Sequence, residues 1–417
     1  MLQKTTATFS QAYSQLNPAQ KKAVDVIEGP VMVIAGPGTG KTQVLAARIA
    51  NILLKTDSNP YNILALTFTD SAAKNMRERV VQMIGQAGYY VQITTFHSLC
   101  ASILRSYPEY FPVDRSSKPL TDIERYSLIQ TCITELPLEI LKPLNRPLFY
   151  LREILKAISD LKREGISVER FSQIVEQDFA ESPAKTKKSA LLKFQKQQQK
   201  NQELVIVYQL YEEKLRSSLR YDFDDLISLV VAAFQAHPEF LQLYQEQFHY
   251  LLVDEYQDTN SAQTMIIQLL ASYWGEQANV FVVGDPHQSI YRFQGASVEN
   301  VYGFLNRYSQ AKVVTLSQGY RCPQPIYSAA HQLIGNNTLT ALANSADQKK
   351  LVVPEESATL CFDSLWLFVE QLPKFSFFLG QLVFAPIQPA VFFVPRGQFF
   401  LSGAQTSEQR AKVLNQL

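Results

Sequence analysis

Short apolar runs alternate along the chain with segments whose apolar positions recur every three or four residues, and each run ends where glycine, proline or polar residues begin. The runs are Val31 to Ile34, Asn62 to Thr69, Val91 to Thr95, Tyr250 to Val253 and Val280 to Val283. The helical stretches between them open at Asn17-Pro18, a cap followed by a first-turn proline, and continue with an amphipathic Val44 to Leu54 and with Ser71 to Ile84. A further helix follows Phe96-His97-Ser98, and another covers Leu226 to Phe234. This alternation predicts an α/β fold with an open parallel sheet that holds its ligands at the carboxyl ends of the strands. From about Arg105 to Arg220 the pattern is helical and polar without another strand of that sheet, which predicts an inserted helical domain.

At the end of the first run stands VMVIAGPGTGKT, Val31 to Thr42, in the order strand, loop, helix. Ala35, Gly36, Pro37, Gly38, Thr39, Gly40, Lys41 and Thr42 match a phosphate-binding loop, with Ala35 where the strict pattern has Gly. Gly38 and Gly40 let the backbone approach an anion, and successive N–H groups at a helix start then cradle phosphates. Lys41 would meet the β- and γ-phosphates of ATP, and the Thr42 hydroxyl would ligate Mg²⁺. A glycine-rich turn joining strand to helix is the plainer reading of the same residues. Gln20, just upstream, carries a carboxamide suited to an adenine edge, and capping explains Asn17 and Pro18 without it.

The fourth run ends in Asp254-Glu255-Tyr256-Gln257-Asp258-Thr259. There Asp254 would reach a metal and Glu255 would act as general base. After the fifth run, Gln288 is suited to sensing a phosphate, while Tyr291 and Phe293 alternate as a base-stacking platform would. Two aromatics serve a core equally well, and His97 reads equally as a core histidine. Asp222 and Asp225 read as helix caps. The lysines between Lys185 and Lys200 would meet phosphates or form a solvated helix face, and the second fits charge runs better.

Composition narrows the field. With 417 residues, a net charge of +1 and an apolar fraction of 46%, the chain has room for two to four domains, and any nucleic-acid binding must be local. Cysteines 100, 132, 322 and 361 are scattered without a CxxC pair, which argues against a disulfide framework or a zinc site and for a reducing cytoplasm. The first ten residues lack the apolar run of a signal peptide.

From Leu16 to about Ile326 the chain resembles UvrD/Rep-type superfamily 1 DNA helicases. The stretches that carry the likeness are LNPAQKKAV, AGPGTGKT, LALTFTDSAAKNMRERV, TTFHSLCASILR, DFDDL, LLVDEYQDTNSAQ, VFVVGDPHQSIYRFQGA and LSQGYRCPQPI, in family order. The resemblance implies a RecA-like P-loop NTPase domain over 1–104 plus 221–312, a helical accessory domain over 105–220, and the start of a second RecA-like domain over 313–350. It implies ATP and Mg²⁺ as cofactors and single-stranded DNA or single-strand/duplex junctions as the substrate, with 3′-to-5′ movement in repair or replication. Gln20 and Tyr320 would take the adenine, Arg48 would join the nucleotide-binding residues, and Arg321 would be an arginine finger. Gln288 would couple the γ-phosphate to DNA, and Phe68, His97, Tyr291 and Phe293 would contact the single strand. Gly319 where Asn is usual, Gln294 where Arg is usual and Asp70-Ser71 for Asn-Lys depart from the family.

Residues 351–417 do not match it. Between Ser357 and Gly403 the charged residues are Asp363, Glu370, Lys374 and Arg396, while Phe and Trp are dense from Phe362 to Phe400. Pro373, Pro386 and Pro389 break the apolar runs before they reach membrane-spanning length. A reading frame lost after about Lys350 accounts for the shift. The chain is therefore expected to be a helicase that hydrolyses ATP on DNA or, failing that, a truncated module that holds ATP and single strands without unwinding. A P-loop enzyme of another class, such as a kinase, fits the YQDT, QSIYRF and GYR segments poorly.

Overall fold

The apolar runs become strands because both faces of the sheet they form are covered by helices, so that a residue pointing either way is buried. Described in a computed structural model are residues 2–113, 117–180, 188–289 and 298–334. In chain order the strands are β1 Val31–Ala35, β2 Ile63–Thr67, β3 Gln92–Thr95, β4 Lys118–Pro119, β5 Arg220–Tyr221, β6 Tyr250–Val253, β7 Val280–Gly284 and β8 Lys312–Leu316. Six form one parallel sheet in the order β3-β2-β6-β7-β1-β8, and β4 with β5 forms a separate parallel pair. The carboxyl ends of β1, β2, β6, β7 and β8 therefore open on one edge.

β8 corrects an expected boundary. The first domain was to end at residue 312, yet β8 pairs with β1 in the same sheet, Ala35 beside Leu316. An apolar run announces a strand without saying which sheet it enters. The helix Lys41–Lys55 corrects another expectation: Val44 through Ile52 are all buried, so this helix is enclosed and has no wet face along that stretch. It packs on the helices Pro18–Asp25 and Asp70–Ile84 and shares a hydrophobic core with Val31, Val33, Ile63 and Phe281 of the sheet.

Between β3 and β6 the helices Asp122–Glu135, Leu151–Arg163, Val168–Ala180 and Lys188–Ser217 share a core of their own, including Ile133, Ile158, Phe171, Val207 and Tyr211. Each fully buried aliphatic side chain there contributes about 1.5–3 kcal/mol. In the lysine tract, Lys200 Nζ sits 4.7 Å over the ring of Tyr150 and is used in packing. Asp222 and Asp225 are more than caps. Although Asp222 accepts the Asp225 N–H at 2.9 Å, both carboxylates also surround the buried ammonium of Lys162 with Glu212. No single helix among the described residues is long and apolar enough to cross a membrane. The aromatic-rich tail, 335–350, and Tyr291, Phe293 and Gln294 lie outside the described residues.

Candidate functional site

β1 delivers the phosphate loop to the sheet edge, and the helix starts at Lys41. Gly38 and Gly40 hold φ of 71° and 84°, a region glycine enters without the steric cost of a Cβ. Gly40 is the helix N-cap and offers no side chain, so the first N–H groups remain available to an anion. Gln20 is held against this loop. Its Nε2 donates to Thr39 O at 2.9 Å, and its Oε1 accepts the Asn17 N–H at 3.0 Å while Asn17 caps Gln20 in return. Capping thus does explain Gln20, contrary to the expectation, because glutamine at the third helical position closes a capping box.

The acidic pair ends β6. Lys41 Nζ lies 2.6 Å from Glu255 Oε2, so the lysine of one strand end and the acid of another share a site. Glu255 adopts φ 48°, ψ 47°, a left-handed conformation that costs a side-chain-bearing residue about 1–3 kcal/mol and is concentrated at functional positions. Asp254 is buried, and its carboxyl is pushed up to about 7 by that burial and by Glu255 beside it. No cluster of three or more metal-ligating side chains exists among the described residues. A Mg²⁺ that keeps several waters and binds mainly through phosphate oxygens needs only one or two protein ligands, a role for which Asp254 and the Thr42 hydroxyl have the chemistry.

Gln257, not foreseen from the sequence, ties this acid to the next strand end. Its Nε2 donates to Glu255 Oε2 at 2.9 Å, and its Oε1 accepts the Asp285 N–H at 2.8 Å. Gln288 in turn donates to Asp285 Oδ2 at 2.7 Å, which places it one hydrogen bond further from Glu255. After β8 the chain crosses the phosphate loop. Tyr320 N–H donates to Gly38 O at 2.9 Å, its hydroxyl meets Asn17 and Gln318, and the Arg321 backbone lies against Gly38 with the residue exposed.

Arg48 is a correction. Expected with the nucleotide-binding residues, it is 1% exposed, donates to the carbonyls of Ala23, Val26 and Ile27, and stacks 4.2 Å over Phe281. It holds the end of the helix Pro18–Asp25, whose carbonyls have no helical partner. Burial lowers its guanidinium to about 9.

Beside the acids opens a cleft of about 290 Å³ lined by Phe68, His97, Arg163, Phe223 and Asp258 among others. His97 stacks on Phe223 with ring centres 4.0 Å apart, and burial lowers its pKa, which favours the neutral ring. Phe223 remains 57% exposed, an unusual position for a phenylalanine, and nothing local to DFDDL distinguishes it from a core aromatic. Tyr291 and Phe293 are not described.

Comparison with known proteins agrees with this geometry. The family description "UvrD/REP helicase N-terminal domain" matches residues 16–309. The chain is similar to the ATP-dependent DNA helicase PcrA of Bacillus subtilis (strain 168), 37% identical over 329 residues, or 79% of this chain and 40% of the relative. PcrA of Staphylococcus aureus (strain Mu50) is 36% identical over 325 residues, or 78% of this chain and 40% of the relative. The chain spans about two fifths of the length of these curated relatives.

Proposed function

The chain belongs to the UvrD/REP helicase family, and from that premise we propose that it is an ATP-dependent DNA helicase or translocase, hydrolysing ATP on single-stranded DNA in repair or replication. The observation that carries the proposal is the 2.6 Å approach of Lys41 to Glu255 beside an aromatic cleft. A triphosphate entering the loop takes Lys41 away from Glu255, which leaves that carboxylate free to accept a proton from water. The loop N–H groups and Lys41 hold the phosphates. Thr42 and Asp254 would hold Mg²⁺, which would neutralise phosphate charge.

Gln257 links Glu255 to the loop that leads to Gln288, so a change at the phosphates is carried toward the cleft. There Phe68, His97 and Phe223 offer ring faces to bases, each stacked base adding roughly 1–3 kcal/mol without regard to sequence. Tyr320 and Arg321 complete the nucleotide side, the arginine as a finger on the γ-phosphate. We place the protein in the cytoplasm, acting on single strands and junctions with 3′-to-5′ polarity.

ATP hydrolysis measured with and without single-stranded DNA tests this, with strand displacement as a second readout. Stimulated phosphate release that Lys41→Ala abolishes supports a motor. ATP binding without stimulated turnover supports instead a module that grips both ligands and leaves unwinding to other parts.

A further inference from the structure

Tyr327 lies in the helix Gln324–Ile334 that follows β8, and it is only 5% exposed. Its hydroxyl donates to Pro37 O in the phosphate loop at 3.0 Å. Its ring occupies the space above Gly319: a Cβ there would stand 2.5 Å from the Tyr327 Cζ and 2.6 Å from its hydroxyl oxygen. Gly38 is just as crowded, since a Cβ on it would meet Arg321 Cβ at 2.5 Å and the Tyr327 hydroxyl at 2.6 Å. One phenol is therefore wedged between two glycines, one in each of two loops that leave neighbouring parallel strands side by side.

We propose that Tyr327 is a positioning residue for nucleotide binding, aiming the phosphate-loop amides and holding the Tyr320-Arg321 segment over them. In a trans peptide unit the carbonyl and the following N–H point in opposite directions, and the described residues contain no cis bond. Fixing Pro37 O from one side thus fixes the direction of the Gly38 N–H on the other. Tyr320 does the same for the next unit, since its N–H takes Gly38 O at 2.9 Å and so sets the Thr39 N–H. Both contacts use carbonyls, which an anion does not want; they leave the Gly38 N–H to the phosphates, while the Thr39 N–H makes only a long 3.4 Å bond to Gly36 O. Gly319 is required because any side chain would evict the ring.

This inference rests on the reading of the loop as a nucleotide site. Titration of the full chain with a fluorescent N-methylanthraniloyl-ADP in Mg²⁺, with melting temperature and oligo(dT) affinity as controls, tests it. Tyr327→Phe keeps the ring and removes the hydroxyl, and it is expected to weaken nucleotide binding about five-fold, the worth of one net hydrogen bond, with the ATP KM rising in step. Oligo(dT) affinity stays as in wild type. Gly319→Ala weakens binding in the native background and adds nothing in a Tyr327→Leu background, where no ring remains to be displaced. Wild-type nucleotide affinity in Tyr327→Phe, or an equal cost of Gly319→Ala in both backgrounds, overturns the proposal. A wild-type chain that binds no nucleotide removes the underlying reading and this one with it.

Discussion

Lys41 Nζ lies 2.6 Å from Glu255 Oε2 although the strands that carry them, β1 and β6, are separated by β7. The pair closes a space made for phosphates, and its two members have different fates when one is removed. Glu255→Gln takes away the proton acceptor and the counter-charge together. Hydrolysis should then fall by ~10²–10⁴ while nucleotide affinity holds or rises, because Lys41 is released to the phosphates. Lys41→Ala should lose the affinity itself. Fluorescent-nucleotide titration beside a phosphate-release assay separates the two outcomes, and equal losses of affinity in both variants would contradict this division of roles.

Phe223 and His97 should grip DNA as a stacked unit. Phe223→Ala is expected to weaken binding of labelled oligo(dT) by about 1–3 kcal/mol, read as anisotropy, with the slope against salt unchanged because no phosphate contact is lost. A steeper or shallower slope would mean that the side chain acts through neighbouring charges such as Arg163.

Arg48 divides structure from function inside the nucleotide-side helix. Arg48→Met leaves the carbonyls of Ala23 and Ile27 without their donor and should destabilise the fold by at least about 2 kcal/mol, lowering the melting temperature. Affinity for nucleotide in the folded fraction should match wild type. A selective loss of affinity at unchanged melting temperature would return Arg48 to the binding residues.

Acid stability should carry the mark of Asp225. Burial, and then Asp222 and Glu212 around the shared Lys162, raise its carboxyl from 3.8 to about 7. A raised folded value means that the folded state holds the proton more tightly, so this group's contribution is full below 3.8 and is lost as pH rises through about 7. Asp222, lowered to about 2 by Lys162 and Arg125 against its own burial, acts oppositely: its contribution is present above 3.8 and lost as pH falls through about 2. Asp225→Asn should therefore flatten the decline of melting temperature between about pH 4 and 7. An unchanged decline would assign it to the other carboxyls that burial raises, Asp160, Asp254 and Asp258.

Much of the α/β plan was legible because each strand is a short apolar run closed by a turn signal, and the local pattern is enough to announce it. Lys41, Asp254 and Glu255 could be picked out because glycine spacing and a terminal acidic pair are local as well. Relations between distant segments were hidden. Nothing in KVVTL says that it will lie beside VMVIA, and nothing near Arg48 says that its guanidinium will turn back to the carbonyls of the preceding helix. Phe223 and Gln257 escaped notice for the same reason. One acquires its role by meeting His97 from another strand end, the other by reaching Asp285 across the sheet.

The position of β7 sets a ruler for the site. Neighbouring strands stand roughly 4.8 Å apart, so the lysine's strand and the acids' strand are held about 10 Å from one another by two ladders of backbone hydrogen bonds. Such ladders do not stretch. The gauge of the opening is therefore a constant of the scaffold, and whatever travel a nucleotide provokes must be taken up by the loops above it.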